Sequence, residues 1–497
     1  MLNIYEISNM KEDVMHILLI QPSEFESHNL SRDYIKHGKY KIQKRLDKLR
    51  SICLPPMGLL YLSTSMKNAG HKVTVLDAFT LQLTNGEIVN ETLMEKPDIV
   101  GISMYSSYLK MVYNLTSTIK KKLNIPVVAG GAHPNAMPVK TLNDFENVDY
   151  LLTGWADFSI VDFTSMLEGR KSESDVAGLY YRENGKVVNV KENQIDIDMD
   201  SIPIPDRNIL SDMYDRELYY NIVSKERNID VLMTSRNCPY SCKFCQNING
   251  HKLLLHSIDR VVDELDYLHG RGVKAVEIMD DTFTAKKKRA EAILDIIATK
   301  NYGMEFRIRS RTNLINEDLL KKFKSVGGRA VSYGMESGSD RVLKLMNKNT
   351  TVEHNRNACI ATKKAGLICH STWLFGWPGE ELEDIDKSFK FIERYLPHTF
   401  NIGILVPIPG TPIYEEAKKD GSIRGEWSTR VSTYPFVVSD VWTEREKLSK
   451  YLNKRLRKSR RNPKYILQTL KLVMGMKNIR LFVYGVQLLV NRLHTFS

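Results

Sequence analysis

Short apolar, β-branched runs alternate with helix-like stretches along most of this chain, in two separate series. In the first, "HILLIQP" (16–22), "HKVTVLDA" (71–78), "PDIVGISM" (97–104), "IPVVAGG" (125–131) and "VDYLLTG" (148–154) read as buried strands. Between them, "MGLLYLSTSMKNAG" and "YLKMVYNLTSTIKKKLN" carry helical apolar spacing. Strands alternating with helices imply a parallel sheet covered on both faces. In such open sheets ligands gather beyond the carboxyl ends of the strands. Those ends are Gln21 and Pro22, Ser103 and Met104, and Gly130 and Gly131. The paired glycines either admit a ligand close to the backbone or simply make a tight turn.

A connector over 171–224 follows this first domain (1–170). It holds a small hairpin, "GLYYRENGKVVNVKEN", turning at Asn184-Gly185, and a segment stiffened by two prolines, "DMDSIPIPDRNIL". The second series then runs "VLMTS" (231–235), "AVEIM" (275–279), "FRIRS" (306–310), "AVSYGM" (330–335), "STWLFG" (371–376) and "NIGILVP" (401–407). Six βα units in succession predict a partial barrel over 225–425, with its chemistry at the C-terminal rim of the strands. Polar groups fall on that rim in turn: a cysteine loop, Asp280 and Asp281, Arg309 and Arg311, Glu336, and "GWPGE". The expected fold class is α/β: a Rossmann-like, flavodoxin-like parallel sheet, a partial (β/α)6 barrel of the TIM type, and a basic helical region over 426–497.

Composition decides where the charge sits. The net charge is +12, yet 13 of the 71 Lys and Arg lie between Lys447 and Ser497, a stretch without Asp or Glu. The first 446 residues are left with 58 basic and 59 acidic groups. The basicity therefore belongs to the tail and gives no reason to expect nucleic acid. A basic segment with apolar faces can lie at an anionic membrane surface, or cap the barrel as a helix. The opening residues show no secretory signal, and no window approaches the ~20 apolar residues that span a bilayer. The expectation is a cytoplasmic protein, peripheral to the membrane if the tail docks there.

Of six cysteines, three crowd into "SRNCPYSCKFCQN" as C-x-x-x-C-x-x-C: Cys238, Cys242 and Cys245. Few cysteines, so clustered, argue for thiolate ligands in a reducing compartment and against a disulfide framework. A structural zinc site wants four ligands, so a zinc knuckle would have to recruit a distant residue such as His251 or His256. An iron–sulfur cubane held by three thiolates leaves one iron open to a chelating small molecule. Cys53, Cys359 and Cys369 are isolated and read as packing residues.

"RNCPYSCKFCQN" after a strand, with aromatic Phe244 before the last cysteine, resembles the signature of the radical S-adenosylmethionine superfamily. The resemblance implies that Cys238, Cys242 and Cys245 hold a 4Fe–4S cluster whose open iron binds S-adenosylmethionine. Reductive cleavage of that cofactor then yields a 5′-deoxyadenosyl radical that abstracts a substrate hydrogen. "EIMDDTFT", "YGMESGSDRVLKLMNK", "WLFGWPGE" and "PIPGTPIYEEA" look like later strand-end motifs of the same family. By that resemblance Phe244, Asp281, Arg309, Glu336 and Gly376 border S-adenosylmethionine, with Glu336 toward its ribose or amino group and Gly376 toward its adenine. Of the two adjacent aspartates, one is expected to face the site and the other to cap the following helix.

The first domain, through "LPPMGLLYLSTSMKNAGHKVTVLDA", "PDIVGISM", "PVVAGGAHPNAMP" and "DYLLTGWAD", is similar to the cobalamin-binding domain of the branch that contains a bacteriochlorophyll ring cyclase and hopanoid methylases. That implies cobalamin near Ser103, Met104, Gly130 and Gly131. The D-x-H-x-x-G motif that supplies a cobalt ligand is absent. His28, with Glu26 and Ser31 around it, reads as a surface histidine, so the cofactor is expected without a histidine ligand.

These features point to an enzyme that modifies an unactivated carbon, by cobalamin-dependent methylation or by cyclisation. The substrate expected is a lipid or another small molecule, with an electron donor such as flavodoxin or ferredoxin. Two other readings stay open. An RNA methylthiotransferase would carry three more cysteines early in the chain, where only Cys53 occurs before residue 200. A non-enzymatic iron–sulfur redox sensor would gain little from an open iron.

Overall fold

The computed structural model describes residues 14–23, 52–192, 197–221, 223–247, 249–429 and 434–474. His28, Glu26, Ser31 and the tail beyond residue 474 lie outside the described residues. The first sheet has seven strands: β1 (His16–Gln21), β2 (Lys72–Asp77), β3 (Ile99–Ser103), β4 (Val127–Gly130), β5 (Tyr150–Leu152), β6 (Leu179–Glu183) and β7 (Lys186–Asn189). Their spatial order is β2-β1-β3-β4-β5-β6-β7. The first five run parallel, with Leu18 between Thr74 and Val100. β1 is buried along nearly its whole length because helices cover both faces. The order 2-1-3-4-5 reverses direction between β1 and β3, the switch point at which open sheets of this kind hold their ligands.

The hairpin expected in the connector is instead part of this sheet. Asn184 (φ 49°) and Gly185 (φ 75°) make its turn, and β6 pairs antiparallel with β5 through Leu152 and Leu179. Leu179, wholly buried, joins Phe163 and Ile202 in the core beneath that edge. The hairpin, read from sequence as an isolated part of the connector, docks here because its apolar face is buried against the sheet edge.

The second sheet holds six parallel strands in sequence order: β8 (Ile229–Leu232), β9 (Ala275–Ile278), β10 (Glu305–Ser310), β11 (Gly328–Glu336), β12 (Ile368–Phe375) and β13 (Thr399–Ile404). Burial alternates along β10, with Phe306, Ile308 and Ser310 facing the helices. Arg307 and Arg309 fall on the opposite, lumen side. The outer layer forms one large apolar core, which also takes in Leu448, Leu452 and Leu456 from the helix Arg445–Arg460. Of the region expected to be helical over 426–497, Arg445–Arg460 and Pro463–Met474 are helices. Phe436–Val437 is instead extended and pairs antiparallel with Ile423–Arg424, where both Phe436 and Val437 are buried.

One buried ion pair joins the two sheets' domains. Arg236 meets Asp157 through two hydrogen bonds of 2.6 and 2.9 Å. Its guanidinium lies between the rings of Tyr61 (4.9 Å) and Trp155 (4.7 Å). Removing one partner of such a pair strands the other charge out of water. Asp157→Ala is expected to destabilise the protein by about 3–5 kcal/mol. Lys67→Ala, which breaks the solvent-facing Lys67–Asp206 pair, should cost less than about 1 kcal/mol. Urea unfolding midpoints of the two variants test this; equal, small shifts would contradict it.

Candidate active site

The cysteine loop springs from β8, and a two-residue ladder pairs Ser235 with Leu255 and Arg236 with Leu254 to close its base. Asp280, at the end of β9, pins the entry. Its carboxylate accepts from Thr234 N (2.7 Å), Thr234 Oγ1 (2.6 Å) and Ser235 N (3.1 Å). Burial raises this carboxyl, and the hydrogen bonds from Thr234 and Ser235 oppose the rise. Asp280 thus holds the loop, where the sequence pattern expected one aspartate to cap the next helix. That helix, Lys287–Lys300, has no side-chain cap, because the strand-end backbone lies closer to hand. Within the loop, Asn247 Nδ2 donates to Cys238 O (2.7 Å) and Cys245 N to Cys242 O (3.1 Å).

The three thiols feel one another. Burial pushes Cys245 up to about 12, reinforced by Cys242, Asp281 and Cys238 in that order. Although Cys245 is exposed at the loop surface, enough protein surrounds its sulfur for desolvation to lead. Cys238 Sγ lies 3.6 Å from Thr282 Oγ1, and Arg311 Nη1 donates to Cys242 Sγ at 3.4 Å. Among the described residues, no three His, Cys, Asp or Glu side chains gather closely enough to hold a single metal ion. Cubane thiolates each bind a different iron and so stand apart, which is the donor set present here. Neither histidine that a zinc knuckle would recruit is turned to the thiols: His251 Nδ1 meets Asn247 Nδ2 (3.0 Å) and His256 Nδ1 meets Asp200 (3.3 Å). The loop fits an iron–sulfur cluster.

Around it the structure collects most of the rim. Glu336 ends β11 with φ 60°, a left-handed conformation that costs a non-glycine residue energy. Its Oε1 accepts from Lys348 Nζ at 3.1 Å. A Cβ on Gly334 would fall 2.2 Å from that oxygen and 2.9 Å from Lys348 Nζ, so any side chain there would displace the pair. Lys348 Nζ sits 5.5 Å from the Phe244 ring, which meets Trp377 edge-on at 6.3 Å. Asp281 is raised by burial and lowered by the Arg309 charge, and Arg309 Nη2 contacts Met279 Sδ at 3.0 Å. Gly376 (φ 83°) is spoken for on two sides. Its N–H donates to Glu380 Oε2 at 2.6 Å, and a Cβ there would meet Leu448 Cδ2 at 2.6 Å.

In the first domain, Ser103, Gly130 and Gly131 are half-buried at the sheet's rim, whereas the Met104 side chain is wholly buried in the core. Gly131 (φ 106°) has Met104 O only 2.9 Å from where a Cβ would stand, so its first requirement is the turn. Sequence reasoning passed over three neighbours. Tyr105 is 43% exposed and packs on Tyr108, whose hydroxyl accepts from Gln21 Nε2 (3.4 Å). His133 Nδ1 meets Ser106 Oγ at 2.9 Å, and burial brings its imidazole down to about 4, so it is neutral. An exposed aromatic beside glycines at the switch point fits a large planar macrocycle. Gln246, the residue after Cys245, joins the two rims: its amide nitrogen lies 3.4 Å from Ala132 O and 2.8 Å from Pro409 O. Gln246 and Lys348 fall inside the motifs quoted above and Arg311 on the predicted rim, but the sequence assigned none of them a partner.

A Radical SAM superfamily model matches residues 232–392 and a B12 binding domain model residues 50–162. An uncharacterized methyltransferase of Pyrococcus horikoshii is 31% identical over 406 residues, covering 80% of this chain and 86% of its own length. The anaerobic magnesium-protoporphyrin IX monomethyl ester cyclase of Rubrivivax gelatinosus is 25% identical, over 73% of this chain and 66% of the cyclase. Among solved structures, TsrM from Kitasatospora setae, a radical S-adenosylmethionine methyltransferase with cobalamin and a 4Fe–4S cluster bound, shares the fold. Its TM-score is 0.66 at 18% identity, covering 83% of this chain and 80% of that one. The chain belongs to the radical SAM superfamily, in the branch that carries a B12 binding domain before the barrel. It is a radical S-adenosylmethionine enzyme of the cobalamin-dependent methyltransferase and cyclase family, whose cofactors are a 4Fe–4S cluster, S-adenosylmethionine and cobalamin.

Glu380 supplies a pH test of this rim. Wholly buried, its carboxyl is pushed up to about 8 by desolvation, against the N–H groups of Gly376 and Trp377. An unfolded glutamate titrates near ~4.3, so between these values the native state holds a proton that the unfolded state has lost. Stability is full below the lower value and declines as pH rises through the upper one. Glu380→Gln keeps the acceptor and removes the titration, so its urea midpoint should fall less than wild type's between about pH 5 and 8. Parallel slopes in the two proteins would contradict the assignment.

Proposed function

We propose that this enzyme transfers a methyl group to, or closes a ring on, an unactivated carbon of a small, apolar substrate, with Cys238, Cys242 and Cys245 as cluster ligands. When bound, the cluster supplies the electron that cleaves the sulfonium of S-adenosylmethionine, and the cobalamin supplies a methyl-transfer centre. The observation that carries the reading is Gln246, which follows a cluster cysteine and reaches the carbonyl after the Gly130-Gly131 turn. Two cofactor rims held face to face by one side chain suit a reaction that needs both at one carbon.

The chain's own residues divide the remaining work. Glu336 and Lys348 present an anion and a cation 3.1 Å apart, which complements the amino and carboxylate groups of the cofactor's methionine end. Phe244 and Trp377 wall that pair with aromatic surface and exclude water. Arg309 and Asp281 border the lumen side. Gly376 contributes to the adenine side through its carbonyl only, since its N–H is bound to Glu380. Ser103, Gly130 and Gly131 line the corrinoid side, with Met104 acting through its backbone.

The electron comes from a donor of the flavodoxin or ferredoxin type, and the tail meets an anionic membrane from which a lipid-like substrate is drawn. Support for the latter lies in the exposed cations Lys450, Lys454, Arg457, Lys458 and Arg461 and in exposed Ile466, Leu467 and Leu470 on the next helix. Near an anionic surface each such cation is worth about 1 kcal/mol. No helix among the described residues is long and apolar enough to cross a membrane.

Anaerobically purified protein should carry iron, sulfide and cobalt together and release 5′-deoxyadenosine with a strong reductant. Cys242→Ala should abolish both the iron and the product. Zinc in the loop, or a cubane that never yields 5′-deoxyadenosine, would end the proposal. Separately, the triple charge reversal K450E/K454E/K458E should reduce co-sedimentation with phosphatidylserine vesicles at least tenfold. Unchanged sedimentation would remove the membrane while leaving the chemistry standing.

A further inference from the structure

Four arginines among the described residues are buried to within a tenth of full burial: Arg207, Arg236, Arg260 and Arg311. Three have a carboxylate. Arg207 and Arg260 share Glu264, Arg207 adds Asp230, and Arg236 has Asp157. Arg311 has none among the described residues. Its guanidinium donates to the Lys348 carbonyl and to Cys242 Sγ, and its carbon lies over the Tyr240 ring, 4.0 Å from the centroid. Its Nε is buried without a partner.

A buried guanidinium stays charged, because it does not give up its proton in proteins. It therefore needs an anion nearby to offset its desolvation. Among the described residues, the cysteine sulfur that its guanidinium touches is that of Cys242, which becomes an anion as a cluster ligand. Tyr240, two residues before Cys242, supplies the aromatic face that holds the guanidinium in place. Lys348 O anchors the other nitrogen, on the segment that also presents Lys348 to Glu336. Three separate elements thus aim one fixed cation at one ligand sulfur.

Resting on the cluster reading above, we propose that Arg311 is a positioning residue that sets the reduction potential of the cluster through the Cys242 sulfur. A one-electron reduction by an external low-potential donor adds one negative charge to the cluster and its thiolates. No proton or leaving group moves. A permanent cation beside one of those sulfurs favours the state with the extra electron, as hydrogen bonds and net charge around such sulfurs generally do. Arg311 touches the ligand sulfur and lies outside the reacting atoms, so its effect belongs to the electron-transfer equilibrium.

The test is an EPR-monitored redox titration of anaerobically reconstituted wild type, Arg311→Gln and Arg311→Lys, with iron and sulfide counted in each. Arg311→Gln should shift the reduction equilibrium at least tenfold toward the oxidised form, about 59 mV lower for one electron. Arg311→Lys, which keeps the charge, should recover most of that shift. A potential in Arg311→Gln equal to wild type at full cluster content would overturn the inference. So would equal shifts in both variants, which would point to shape instead of charge. If Arg311→Gln assembles no cluster, Arg311→Lys decides: a wild-type potential supports the role, and loss of the cluster there as well marks Arg311 as merely structural. Wild type without a cubane signal would instead sink the reading of the loop itself, and this inference with it.

Discussion

Everything at the site is referenced to the bidentate pair between Arg236 and Asp157. Arg236 lies two residues before Cys238, and Asp157 belongs to the helix Ala156–Leu167, which covers the first sheet. A guanidinium sandwiched between Tyr61 and Trp155 has no water to fall back on, so it holds its carboxylate or the fold loses several kcal/mol. The geometry of a planar fork against a carboxylate also fixes direction as well as distance. The root of the cysteine loop is therefore positioned by the first domain. Asp280 fixes the same root from inside the barrel. Gln246 does the equivalent at the far end of the loop, spanning to Ala132 on one side and Pro409 on the other. A loop tied at both ends to two domains cannot shift relative to either without breaking buried polar contacts.

That rigidity bears on the electrostatics the loop must carry. Burial first, and then the neighbouring Cys242, Asp281 and Cys238, push the Cys245 thiol up to about 12. The surrounding cations are not interchangeable. Lys348 answers Glu336, Arg307 answers Glu277, and Arg309 moderates Asp281. Arg309 also touches the neutral thioether of Met279, whereas among the described residues Arg311 is the arginine directed at a cysteine sulfur. Charge is thus partitioned residue by residue, so that a small zwitterion and an anionic cluster can occupy adjacent parts of one rim.

Periodicity made the rims legible, because buried parallel strands advertise themselves as apolar runs and their carboxyl ends follow directly. β8 to β13 begin within three residues of their expected starts, for that reason. Long-range partners are what local pattern omits. The Asn184-Gly185 turn was readable, but that its first strand would join Leu152 and close the first sheet depends on a pairing 27 residues apart. Gly376 carried a family resemblance, yet its open face is filled by Leu448, which lies 72 residues further along. Gly131 could have served a ligand or a turn, and the Met104 carbonyl beside it shows that the turn comes first. Arg311 looked like an ordinary rim charge and Arg236 like one more residue of the cysteine motif, since only folding reveals which arginine finds a carboxylate and which finds a thiol.

The same lesson dissolves an apparent choice about the tail. A basic helix might cap the barrel or face an anionic surface, and sequence alone sets these against each other. In Arg445–Arg460 the apolar and the cationic residues occupy different faces. Leu448, Leu452 and Leu456, spaced four apart, are sunk in the barrel core, while Lys450, Lys454 and Lys458, also four apart, are exposed. Leu448 reaches Gly376 at the active-site rim, so whatever the cationic face engages is one helix diameter from the end of β12. A helix anchored this way transmits position to the rim through packed side chains, because leucines held in a close-packed core cannot slide without opening a cavity.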